Sequence, residues 1–204
     1  MRRIINTAAL LVLAVTIAAM NGCLEDREVE IVLNDENCET FDEMHTSENF
    51  TSPQIIYLGT ELDDLLADNE VSREQILDAF LVSASYEVKE FTQDHPWDLA
   101  GVISVERLDI LDTPDTLVIY SNLTVSSAII GEKTYVELHE DGVATVNEAM
   151  DDYIAGMHPI LRVTIINGDV EPDPTEGDPI DFAWEFCLFI QAITTLDTEI
   201  FQVF

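Results

Sequence analysis

From Ile180 to Ile190 every second residue is large and apolar: Ile180, Phe182, Trp184, Phe186, Leu188 and Ile190. The other phase mixes Asp181, Ala183, Glu185, Cys187, Phe189 and Gln191. A period of two is the mark of a strand with one face in a core. The aromatic phase is therefore core, and Cys187 points away from it. The same alternation places strands at Val29, Ile31 and Leu33, and from about Leu81 at Val82, Ala84, Tyr86 and Val88. Short apolar runs at 54–58, 102–111, 116–121, 123–130 and 133–138, and at Leu161, Val163 and Ile165, predict further strands. Asp112-Thr113-Pro114-Asp115, Glu140-Asp141-Gly142 and Asn167-Gly168 supply turn chemistry between them. Residues 34–53 show no period and are rich in Asn, Asp and Ser, so they are predicted to form a loop that contains Cys38.

Helical spacing is confined to a few places. Thr60 and Asp63 open a brief helix carrying Leu62, Leu65 and Leu66, and Ser72 with Gln75 forms a capping box for another turn or two. Thr145 and Glu148 form a second capping box, followed by an apolar stripe of Val146, Met150, Tyr153, Ile154 and Met157. Gly156 and Pro159 end that helix. About eight strands with one or two short helices predict a mostly β fold, an antiparallel β-sandwich. The order of elements over about residues 80–192 is similar to the immunoglobulin-like sandwiches of exported lipoproteins. That likeness implies a fold and no activity.

The first 23 residues have a separate logic. Met-Arg-Arg precedes an apolar stretch over residues 4–20, then Asn21, Gly22 and Cys23. The stretch is short for a bilayer span and typical of a signal peptide. An ordinary secretory cut wants small residues at −3 and −1, and cutting after Met20 or Asn21 puts the wrong side chain at −1. Cutting after Gly22 puts Met20 at −3, where a lipobox carries a large aliphatic residue. Met20-Asn21-Gly22-Cys23 thus resembles the type II signal peptide of bacterial lipoproteins, departing from it at Asn21, where a small residue is usual. The resemblance implies removal of residues 1–22, a diacylglyceryl group on Cys23, and a protein held stably at the cell envelope by more than one acyl chain. Leu24, in place of Asp, implies the outer membrane under the enterobacterial sorting rule. An uncleaved anchor and ordinary secretion are the alternatives. On this reading the chain divides into a signal peptide (1–22), a lipidated acidic tether with an N-terminal strand and loop (23–53), and a sandwich domain (54–204).

Charge narrows the partners. Two of the eight basic residues lie in 1–22 with no acid, so the chain from Cys23 onward carries six basic residues against 41 acids. Such a surface repels nucleic acid and anionic lipid, which excludes DNA and RNA partners. The acids are spread through every segment, so they are not one acidic arm. At about 1 M salt the Debye length is about 3 Å, and the composition is read as adaptation to saline surroundings. With Cys23 acylated, Cys38 and Cys187 remain, a pair expected to be bridged outside the cytosol.

Candidate chemistry is sparse. Paired carboxylates are too common here to signal a glycosidase, and His45, His95, His139 and His158 lack zinc-ligand spacing. There is no GxSxG, phosphate loop or GxGxxG. Asp169, Glu171, Asp173, Glu176 and Asp178 offer hard oxygen ligands for Ca²⁺ in a turn-rich stretch, although Pro174 stands where an EF-hand needs glycine. Trp97 and His95, beside Asp94 and Asp98, are a candidate platform for stacking a carbohydrate. The expectation is a non-catalytic, lipid-anchored envelope protein that binds another envelope protein or polymer. The alternative is a small-ligand binder or hydrolase with a site assembled from distant residues, or a calcium-stabilised module.

Overall fold

The computed structural model describes residues 28–110 and 112–197. In chain order it holds β1 (Glu28–His45), β2 (Phe50–Ile56), α1 (Leu58–Asp68), β3 (Ile76–Phe91), β4 (Trp97–Arg107), β5 (Asp115–Val125), β6 (Lys133–Val136), α2 (Glu140–Ile154), β7 (Leu161–Glu171) and β8 (Ile180–Asp197). Two antiparallel four-stranded sheets face each other, ordered β1-β8-β3-β6 and β2-β7-β4-β5. The antiparallel sandwich with two short helices is as the pattern predicts. Its strand order is not the immunoglobulin one, which sets four strands against three. Among consecutive strands only β4 and β5 pair with each other; every other connection crosses between sheets. This is the double Greek key of a jelly roll. Among the described residues no helix is long and apolar enough to cross a membrane.

The core lies between the sheets. The aromatic phase of β8 is buried from Ile180 to Ile190, against Phe41 of β1 and Tyr86 of β3. The other sheet contributes Trp97, Leu99, Ile103 and Val105 of β4 and Leu161, Val163 and Ile165 of β7. Leu58, Leu62 and Leu66 of α1 and Val146, Met150 and Tyr153 of α2 close the sandwich.

Four expectations are corrected. Residues 34–45 are not loop: β1 pairs with β8 without a break from Glu28 opposite Asp197 to His45 opposite Ile180. The inward phase of β1 is Leu33, Asp35, Asn37, Glu39, Phe41, Glu43 and His45, too polar to display a hydrophobic period. β1 and β2, which begin in the stretch assigned to a tether, N-terminal strand and loop ahead of a domain starting at 54, are edge strands of the two sheets. In β3 a register shift between Leu81 and Ser83 leaves Val82 as the extra residue, turned to solvent at 45% exposure. α2 begins five residues before the predicted Thr145: its N-cap is His139, whose side chain accepts from the Asp141 amide. Thr145 instead donates to the Asp115 carboxylate at 2.6 Å. The early start places Gly142 against β5, where a Cβ would come within 2.5 Å of the Leu117 Cα.

Candidate functional site

The polar phase of β1 leads into a network at the end of the sandwich where β1 crosses to β2. Glu43 is buried at 1% exposure. One of its carboxylate oxygens contacts His45 Nε2 at 2.6 Å and accepts from Ser52 Oγ at 2.6 Å; the other accepts from Trp184 Nε1 at 3.2 Å. Each partner comes from a different place: His45 from two residues along β1, Ser52 from β2, Trp184 from β8, inside the β1-β8-β3-β6 sheet. His45 stacks on Phe50 with centroids 4.1 Å apart, which fixes the imidazole plane. Burial, and then the negative charge of Glu43, push the Tyr120 phenol above its ordinary pKa. That phenol donates to Asn167 Oδ1, and the Asn167 amide donates to the Glu48 and Asp169 carbonyls. Gly101 makes this possible, since a Cβ there would lie 2.6 Å from the Tyr120 hydroxyl and 2.3 Å from the Ile166 carbonyl.

The composition of this network resembles a nucleophilic triad, but its order does not. In a triad the imidazole stands between hydroxyl and carboxylate and takes the hydroxyl proton. Here the carboxylate stands in the middle, and Ser52 is committed to it. The arrangement answers a buried charge with three donors and pins β1, β2 and β8 together. Losing one donor would leave a buried acceptor unmet, at a cost of about 1–3 kcal/mol.

On the outer face beside it lies a hollow of about 220 Å³. Ala183 sits between Asp42 and Glu90 on the neighbouring strands, and its small side chain leaves the space. Met44 and Asp181 lie one step along, with Thr92 donating to Asp181 at 3.2 Å. The hollow is acidic and smaller than the roughly 300 Å³ at which drug-sized pockets begin.

The residues singled out from sequence fall as follows. Cys38 and Cys187 are directly opposite in the β1–β8 register and form a disulfide, with Cα atoms 4.0 Å apart. The bridge therefore joins two paired strands and does not pin a loop. Trp97 is fully buried, so it folds its segment onto the core and offers no face for a sugar to stack on. The His95 ring packs edge-on against it, with centroids 4.6 Å apart, and approaches Asp178 at 3.5 Å. The five loop acids do not form a calcium cage. β7 continues through Gly168 to Glu171, so Asp169 and Glu171 are spread along extended backbone, and all five side chains are exposed. No three of them bring ligand atoms within 4.8 Å of each other; among the described residues only Glu36, Cys38 and Cys187 do, with both sulfurs spent in the disulfide. Cys23 lies outside the described residues. Sequence reasoning gave Glu43 and Ser52 no role and read Trp184 only as core; the Glu43-x-His45 spacing is the one sequence signal the network leaves.

No protein-family model matches the chain, and no curated protein matches its sequence. Among solved structures, a chain from Desmodium yellow mottle tymovirus is similar over 96% of this chain and 97% of that one, at 10% identity and a TM-score of 0.27.

Proposed function

We propose that the protein is a lipid-anchored cell-envelope protein whose sandwich serves a binding or structural role without catalysis. The observation that carries this reading is Met20-Asn21-Gly22-Cys23 at the end of an apolar stretch, with only four residues between Cys23 and Glu28. At about 3.5 Å per extended residue, such a tether reaches less than roughly 20 Å. It would hold the Glu28 end of β1 at the membrane surface. The Glu43 network and the acidic hollow lie at the opposite end of an 18-residue strand, roughly 50 Å along its contour. A partner reached through that end would meet carboxylates and would itself be basic. Several features support a role without catalysis: Ser52 donates to the Glu43 carboxylate and not to His45, Trp97 is buried, and the hollow is small.

The test is Cys23→Ala expressed in the native host beside the wild type. The wild type is expected in the membrane fraction, with an N-terminal peptide whose mass shows an acylated cysteine, while the variant is expected in the soluble fraction or as unprocessed precursor. A native protein that still begins with methionine, or an unmodified first cysteine, would refute the anchor.

A further inference from the structure

The outer face of the β2-β7-β4-β5 sheet is nearly free of acids, on a chain that carries 41 of them. Thr51, Ile166, Val102 and Ile119 stand opposite one another in a row across all four strands. Ile166 is 41% exposed and Ile119 63%, so this phase points to solvent. The next row, Pro53, Thr164, Ser104 and Thr116, carries no charge. In the third, Ile55 is 43% exposed beside Arg162 and Glu106, whose side chains pair with each other. Leu108 ends the face, its amide bonded to the Ile160 carbonyl at 2.8 Å. Acids resume only past the register shift at Ala100–Gly101, with Asp98, Asp169 and Glu171.

The other sheet presents a different surface. On the phase opposite its core stand Glu30, Glu36 and Asp42 of β1, Asp181 and Glu185 of β8, and Glu87 of β3. Negative charge coats that face and is withheld from this one. The isoleucines of the acid-free face keep their exposure because none of the described elements covers them. Contiguous apolar rows on a soluble surface mark a place of contact.

We propose that this face binds a second copy of the chain, sheet against sheet, about a two-fold axis. Charge selects that occupant first. With 41 acids against eight basic residues, two copies repel each other in most orientations. Here the single acid of the three rows is answered by Arg162, so the faces meet without net charge. A basic partner would be drawn to the other sheet instead. The face is also complementary to itself: neighbouring positive and negative groups let Arg162 of one copy turn toward the partner's Glu106. Small side chains in the middle row leave a shallow trough between aliphatic rows, which suits sheets packed about 10 Å apart. Area agrees as well. Val102 to Leu108 is seven residues, so four strands give about 23 by 19 Å, or roughly 440 Å² per copy. The pair covers about 900 Å² before side-chain relief is counted, close to the roughly 1,000 Å² that a specific interface needs.

The test is the protein mass of the purified full-length chain in non-ionic detergent, measured by light scattering across a concentration series. It is run in about 0.1 M and about 1 M NaCl, between which the Debye length falls from about 10 to about 3 Å. A dimer is expected, tighter at the higher salt. Ile166→Glu and Ile119→Glu should each raise its dissociation constant by about a hundredfold or more, because they set like charges against each other. Both positions face solvent in a single copy, so circular dichroism should stay as in the wild type. If either variant fails to fold, Ile55→Glu takes its place. Val32→Glu, on the outer face of β1, should dimerise as the wild type does. A chain that stays monomeric at both salts overturns the proposal and leaves the face to a partner of another kind. A dimer undiminished in the face variants overturns it too, since its contact then lies elsewhere. Acylation of Cys23 does not enter the comparison, because every variant keeps that residue.

Discussion

A carboxylate taken out of water must be answered by donors, by a cation or by a proton, and single residues here illustrate each. Glu43 takes the first course, with three donors around it. Asp109 takes the second: bonds from Arg107 hold its carboxyl below the ordinary range. Asp63 does so against the push of burial, through Tyr153 and Arg73. Asp35 has one backbone donor and Glu61 the Asn37 side chain, Glu39 has neither donor nor cation, and burial holds all three above it. The two groups give opposite pH dependences. A raised acid binds its proton more tightly when folded, so it adds stability as pH falls through its folded pKa. A lowered acid contributes stability above its unfolded pKa and loses it as pH falls through its folded one. The thermal midpoint should rise on acidification from neutrality into the upper carboxylate range and fall once Asp63 and Asp109 protonate. A midpoint that only declines from pH 7 downward would mean that burial does not hold Asp35, Glu39 and Glu61 above the ordinary range. None of this was legible in the sequence, where acids are so frequent that the few buried ones look like the many exposed ones. Trp97 and His95 misled for the same reason, because a residue type does not declare its burial.

Among elements, legibility tracked how apolar the inward phase is. β8 buries Phe182, Trp184 and Phe186 and can be read directly, whereas its partner β1 turns Asp35, Asn37, Glu39 and Glu43 inward and reads as loop. β5 hides differently: Asn122, at φ 57°, absorbs a kink that makes one strand look like two. The Cys38–Cys187 bridge joins residues 149 apart in sequence. In the chain-entropy view, closing such a loop is worth up to about 5 kcal/mol. Reduction, or Cys38→Ala with Cys187→Ala, should lower unfolding stability by about 2–5 kcal/mol in urea titrations. An unchanged midpoint under reductant would mean that the β1–β8 ladder alone fixes that edge.

Across the whole molecule, 41 acids face eight basic residues, and the five of those that the structure describes are all in ion pairs. Most of the negative charge therefore has no partner within the chain and repels itself through solvent. Added NaCl should raise the thermal midpoint steadily from low to molar concentration, more than in a protein of balanced charge; a flat curve would reject the saline reading. The sandwich was foreseeable from alternation, but the jelly-roll order was not, because strand partners such as β1 and β8 lie at opposite ends of the described chain and period-two patterns do not name their neighbours. That long pairing also has a mechanical side. Tension applied to the chain ahead of Glu28 runs along β1, perpendicular to the hydrogen bonds that join it to β8. Such bonds resist in shear, many at once, instead of peeling singly, and the cystine ten residues in from Glu28 stops any slip that begins. Where the opposing load is borne at the His45 end of the sheet, the ladder therefore resists tension from its amino end.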